Sequence, residues 1–273
     1  MSEINIRRIV VACDSAGENR SGIEAAARFA AWWDVTVHGL FVQDEGLLNL
    51  AALPFARHVG PSGSSEEVDA ATILRQFEAH AGRVRSRLEA AAREHAIGWS
   101  FDVVRGQPTL ATLALADQDL LVIEAAARPF ASDFRLASRW LATAFEGQWS
   151  TLLIRNYNQR NDGVVALVQS SQPSAERLIA VAVGLALASD RRLTIILDGP
   201  AFEERVVIDR VRRVSARIAT NCRVEQSKDL ALSLERLAGE GSVLIVDAAP
   251  AINIIAALRE FAAHSRGDLL FLR

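Results

Sequence analysis

The sequence predicts two tandem α/β domains built on parallel sheets, and three observations carry that prediction. Short, continuously apolar runs ending in polar residues alternate with longer helical patterns, as in βαβ units whose strands are buried on both faces. The alternation restarts after a polar, turn-rich segment at 156–163 (NYNQRNDG). Two segments also recur: IVVACDS (9–15) as VVALVQS (164–170), and DLLVIE (119–124) as SVLIVD (242–247). With 273 residues, the chain is long enough for two cores, since single domains run to roughly 100–150 residues.

The elements follow in order. Residues 6–14 (IRRIVVACD) form a buried strand closed by an acid, and 15–19 turn the chain into an alanine-rich helix over 22–33. Residues 35–42 (VTVHGLFV) form a second strand. A long loop spans 44–65 and includes the apolar stretch LLNLAALPFARHV (47–59), which is expected to pack on its own domain as a short amphipathic helix, the alternatives being to cover a cleft or to carry a partner-binding patch. A long helix is predicted over 66–96, with Leu74, Phe77, Ala81, Val84 and Leu88 at i, i+3/i+4 spacing. Strands at 99–105, 119–123 and 151–155, with helices at 109–116 and 132–146, complete a first domain over 1–155. After the linker, strands at 164–168, 193–197, 222–226, 243–246 and 269–272 alternate with helices at 176–188, 203–219, 230–237 and 252–263. They make a shorter second domain over 164–273.

Composition excludes several classes. The net charge of −3 argues against non-specific nucleic-acid binding, which requires a basic surface. No apolar run approaches the roughly 20 residues of a membrane helix, and the first residues do not read as a signal peptide. Cys13 and Cys222 both lie in strand-like runs and are expected to be buried thiols of a reducing cytoplasm. His38, His58, His80, His95 and His264 show no metal-ligand spacing, and His80 and His95 are expected to face solvent. No HExxH, CxxC, G-x-S-x-G or Walker motif occurs, so zinc chemistry and the common hydrolase signatures find no support.

The local motifs resemble the universal stress protein family. The resemblance is carried by RRIVVACDSAGENRSGIEAAARFAA at the start, VTVHGLFVQDE after it, VVRGQPTLATLALADQDLLVIE in the middle and STLLIR closing the half. It covers 5–155 well and 163–273 mainly through the order of elements. It implies flavodoxin-like domains, each a five-stranded parallel sheet of order 3-2-1-4-5 with helices on both faces. The implied ligand cleft lies between the carboxyl ends of strands one and four, where strand order switches. The apolar stretch after strand two is characteristic of a subgroup within the family.

Many family members bind ATP in that cleft, with an acid at the end of strand one and a G-x2-G-x9-G-[ST] loop after strand four. Here Asp14 matches the acid, Ser15 follows it, and Val42 matches the apolar residue beside the nucleobase. The three loop glycines become Glu124, Ala127 and Ala137, while Ser138 keeps the hydroxyl. The alanine methyls penalise the backbone conformations that glycine adopts freely. Glu124 puts a carboxylate where a triphosphate would sit. In the second half Asp14 becomes Gln169, the first glycine position becomes Asp247 and the next Pro250. No cofactor is therefore expected; the alternative is a switch holding ATP or AMP through Asp14, Ser15, Val42 and Ser138. Asp14 and Glu124 also read as a polar cleft floor or as caps of following helices.

The expected activity is accordingly non-enzymatic: a cytoplasmic regulatory or binding module with no metal. Family members often dimerise through strand five, so 151–155 and 269–272 are expected to pair the two domains within one chain. The domains themselves are expected to fold back to back rather than to share one continuous sheet. A homo-oligomer or a protein partner remains open, and neither nucleic acid nor membrane is expected.

Overall fold

The computed structural model describes residues 6–13, 19–53, 57–59, 65–67, 70–106, 114–124, 148–154, 163–169, 172–198, 203–230, 232–234, 236, 242–247 and 267–273. Its first half contains β1 (Arg8–Cys13), α1 (Arg20–Trp33), β2 (Thr36–Asp44), α2 (Glu45–Ala51), β3 (Arg57–Val59), β4 (Ser65–Glu67), α3 (Ala70–Glu94), β5 (Trp99–Gly106), β6 (Asp119–Glu124) and β7 (Ser150–Ile154). Then come β8 (Val164–Val168), α4 (Gln172–Ser189), β9 (Leu193–Asp198), α5 (Glu204–Val214), α6 (Ala216–Ala219), β10 (Cys222–Ser227), β11 (Val243–Asp247) and β12 (Leu269–Leu272).

Ten of these strands form one sheet in the order β10-β9-β8-β11-β12-β7-β6-β1-β2-β5. Each half runs parallel and has the order 3-2-1-4-5 counted over its own strands. The halves meet where β12 lies antiparallel to β7, with Leu269 opposite Leu153 and Phe271 opposite Thr151. This corrects the back-to-back expectation: the halves join edge to edge in a continuous sheet. The physical reason is the character of the joining strands. All described residues of β7 and β12 are buried, and an apolar strand left as a free edge would expose unpaired amides and carbonyls. The true edges, β5 and β10, mix exposed residues, polar except for Val103, with half-buried ones.

The sheet separates two apolar layers. On one face α1, α3, α4 and α5 cover Ile9, Val11, Phe41, Leu120, Val122, Leu152, Ile195, Ile245 and Leu270. The opposite face presents Val10, Ala12, Leu40, Val42, Leu121, Ile123, Val165, Leu244 and Phe271, with Trp149 and Leu234 packed there. Gly39 sits where Leu88 of α3 and Phe101 of β5 close over β2, and an added Cβ would lie 2.7 Å from each. The two halves also touch through their helices, for Gly184 of α4 receives the Trp32 indole of α1.

Local chemistry explains the differences from the sequence reading. Residues 44–65 contain α2 and the β3–β4 hairpin rather than a loop alone, and the Asp44 carboxylate accepts the Gly46 and Leu47 amides at 2.8 and 3.3 Å, starting α2. The helix expected over 203–219 breaks at Ser215, whose backbone is extended (φ −154°, ψ 116°) and whose hydroxyl accepts the Ile218 amide to cap α6. His80 is half-buried against Phe41, ring centroids 5.6 Å apart, instead of facing solvent. Cys13 is buried, whereas Cys222 is only half-buried. The helices expected over 132–146 and 252–263 and most of the linker at 156–163 lie outside the described residues.

Candidate functional site

The carboxyl ends of β1, β2 and β6 lie side by side, because β1 pairs with β2 and with β6 in register. Of the candidate residues there, Val42 and Glu124 are described. Asp14, Ser15, Ala127, Ala137 and Ser138 lie outside the described residues. Val42 is buried, faces the same apolar layer as Ala12 and Ile123, and stands opposite Val104 of β5.

Glu124 closes β6, and its Oε2 accepts the Gly22 amide at 2.8 Å. Gly22 is in the first turn of α1, where backbone N–H groups have no partner inside the helix. The Asn19 side chain makes no capping bond at that terminus. A carboxylate from a neighbouring strand therefore serves as the anion at the helix start, an arrangement worth about 0.3–2 kcal/mol through the helix dipole. The sequence reading had Glu124 capping a following turn or helix, whereas the helix it meets here is α1, which precedes it in the chain. The partner could not be named from the sequence, since Gly22 is 102 residues away.

The matching end of the second half is filled by side-chain pairs. Gln169 donates from Nε2 to Asp198 Oδ2 at 2.9 Å. Asp247 closes β11, and Arg177 of α4 donates to its Oδ2 at 3.2 Å. The same guanidinium donates to the main-chain oxygen of Arg273 at 2.9 Å. The Arg273 amide in turn donates to Ser150 Oγ of β7 at 3.0 Å, which carries the network across the seam between the halves. Sequence reasoning missed Arg177 and Asp198, whose only signal was their place in the repeat.

A second polar group crosses the amino-terminal ends of β6, β1, β2 and β5. Arg8 grips the buried Asp119 with both sides of its fork, at 3.0 and 2.5 Å, and Asp119 also accepts the Ala116 amide at 2.8 Å. The hydrogen bond to Asp119 raises the Arg8 pKa above its ordinary value. His38 Nδ1 lies 2.8 Å from Ser100 Oγ, and its Nε2 is 3.7 Å from Asp102. Burial pushes the His38 pKa below its usual value and Arg8 adds to that, against the opposing pull of Asp102 and Asp119. The imidazole is thus held neutral near pH 7. Among the described residues no group of three His, Cys, Asp or Glu side chains could hold a metal ion, and no helix is long and apolar enough to cross a membrane.

No protein-family model matches the chain, and no curated protein matches it. Solved structures do. A universal stress protein from Archaeoglobus fulgidus superposes with a TM-score of 0.57 at 12% identity, covering 99% of both chains. The chain has a universal stress protein fold. A putative universal stress protein from Pseudomonas aeruginosa gives 0.52 at 13% identity over 98% of this chain and 94% of that one. A protein of unknown function from the same organism gives 0.53 at 14% identity over 98% and 93%. The likeness extends over nearly the whole length of the chain. At these identities the likeness concerns the fold, and the chemistry of the site has to be argued from the residues of this chain.

Proposed function

We propose that this protein is a cytoplasmic, non-enzymatic regulatory or binding module on the universal stress protein fold, with the triphosphate site lost in both halves. The observation that carries this reading is the Glu124 carboxylate on the Gly22 amide at 2.8 Å. A phosphate approaching the start of α1 meets a fixed negative charge where it would need a donor, and close like charges are costly in a partly buried site. In the second half, Asp247 stands at the equivalent strand end and is already tied to Arg177. The sequence supports the same reading, since Glu124, Ala127 and Ala137 stand in the first half where the family's phosphate loop has glycines.

The division into 1–155 and 164–273 belongs to the same proposal, the halves acting as two family-like domains paired through their fifth strands. Their pairing satisfies both strand edges within one chain, so self-association is not needed to cover them. The sequence carries no G-x-S-x-G or Walker motif that would support a hydrolase or transferase.

A thermal-shift panel of ATP, AMP, inorganic phosphate and small anions tests the proposal, because only ligands of the native state raise its melting temperature. ATP and AMP should give no shift at millimolar concentration. Mass spectrometry of small molecules released on denaturation separates the alternative: recovery of stoichiometric adenine nucleotide would replace this reading with a nucleotide-holding switch.

A further inference from the structure

The amino-terminal end of the first half's sheet brings a hydroxyl, an imidazole and a carboxylate into one row. His38 of β2 stands opposite Ser100 in the register of β2 with β5, and Asp102 follows two residues further on the same face of β5. His38 Nδ1 lies 2.8 Å from Ser100 Oγ, and His38 Nε2 lies 3.7 Å from Asp102 Oδ2. The Asp102 carboxylate attracts the imidazole proton to Nε2, which leaves Nδ1 bare and makes the Ser100 hydroxyl the donor. A spacing of 2.8 Å falls within the roughly 2.6–3.2 Å that a base needs to take a proton from a nucleophile, and a third group orients that base.

Exposure divides the three groups as such a site needs. The His38 side chain is only 13% exposed, while Ser100 is open to solvent on the edge strand β5. Burial, helped by the charge of Arg8 on β1, keeps the imidazole neutral near pH 7 against the pull of Asp102 on β5 and Asp119 on β6. A neutral ring has the lone pair that an accepting base requires.

We propose that Ser100 is an acylation site, whose hydroxyl takes an acyl group from a small activated ester while His38 takes its proton. Ser100 Oγ bonds to the acyl carbon as the hydroxyl proton passes to Nδ1. The bond from that carbon to the leaving oxygen then breaks, and the leaving oxygen departs with the electron pair and the proton from Nδ1. The products are an ester on Ser100 and a free alcohol, with no change of oxidation state. Asp102 is a positioning residue that holds the imidazole in the accepting tautomer. The step is a single transfer onto the protein rather than a turnover. It takes place at the strand ends opposite Val42 and Glu124, so it stands whatever is bound there.

The full chain treated with p-nitrophenyl acetate and read by peptide mass spectrometry tests the site. Trypsin releases 94–105, in which Ser100 is the only hydroxyl. The native protein should acetylate Ser100 at least tenfold faster than protein unfolded in urea, since a positioned base contributes about 10²–10⁴-fold. Ser100→Ala should leave the peptide without the ester, and His38→Gln should abolish the native advantage. Asp102→Asn, at a side chain 72% exposed, should slow the reaction and move its half-maximal pH downward, because a charge favouring the imidazolium is gone. A native rate no faster than the unfolded one, or an undiminished rate in His38→Gln, would overturn the proposal. Should His38→Gln fail to fold, an unmoved pH midpoint in Asp102→Asn overturns it equally.

Discussion

Replacing Gly184 with alanine probes the helix contact that joins the two halves. A Cβ there would lie 1.5, 2.2 and 2.7 Å from the Cζ2, Cη2 and Cε2 atoms of Trp32. Non-bonded carbons rest at about 3.5–4.0 Å, so the indole would have to move by roughly 2 Å. It is not free to do so alone: Trp32 stacks on Trp33 with centroids 5.2 Å apart at 27°, and it tilts against Phe29 at 6.3 Å. Overpacking of this kind costs about 1–3 kcal/mol, and a rigid ring against a helix backbone puts the cost near the upper end. Alanine in a helix interior returns about 1 kcal/mol relative to glycine. The net is a loss of about 2 kcal/mol, or roughly 4–8 °C in melting temperature for a chain of this length. Urea unfolding of Gly184→Ala, with Trp32→Leu added to relieve the clash, measures both terms. The double variant should recover part of the loss. If Gly184→Ala instead stabilises the protein by the helix-propensity gain alone, α1 and α4 do not meet as described.

Three further outcomes follow from the polar groups. Arg8→Met should destabilise by about 3 kcal/mol, read by chemical denaturation, because it leaves the buried Asp119 carboxylate without its counter-ion; Asp119→Asn should cost less, since the Arg8 it leaves unpaired is partly exposed and screened. His38 binds its proton more weakly folded than unfolded, so its contribution is fully present above about pH 6.5 and is lost as pH falls below that value towards the lowered folded pKa. His38→Gln should flatten that part of the stability–pH curve, and an unchanged slope would remove His38 as its source. Burial pushes the Cys222 thiol up to about 11, so at pH 8 its alkylation should run about 100-fold slower than in the unfolded chain, measured by mass spectrometry over time.

Much of this fold was legible because buried parallel strands write themselves as unbroken apolar runs. Ile9–Cys13, Leu120–Ile123 and Val243–Val246 carry no polar interruption and occupy the sheet centre of each half. The joining of the halves was half-legible: STLLI in β7 and LLFL in β12 are too apolar for free edges, unlike WSFDVVRG in β5 and CRVEQS in β10. What sequence could not supply was long-range pairing. Nothing local to Ser215 distinguishes a cap from an exposed helical serine, and nothing local to His80 shows that Phe41 will cover it. The same limit governed the site. Glu124 could be recognised as an acid in a glycine's place, but its Gly22 partner exists only once β6 and α1 are packed together.

Isothermal titration calorimetry of the full chain with ATP and magnesium tests the central claim most directly, namely the proposal that the triphosphate site has been lost. The account predicts no binding heat up to millimolar ATP with the unaltered protein. Saturable binding with a micromolar Kd, which is about 8 kcal/mol of affinity, would contradict it, because the ligand would have to sit beside the Glu124 carboxylate that holds the Gly22 amide.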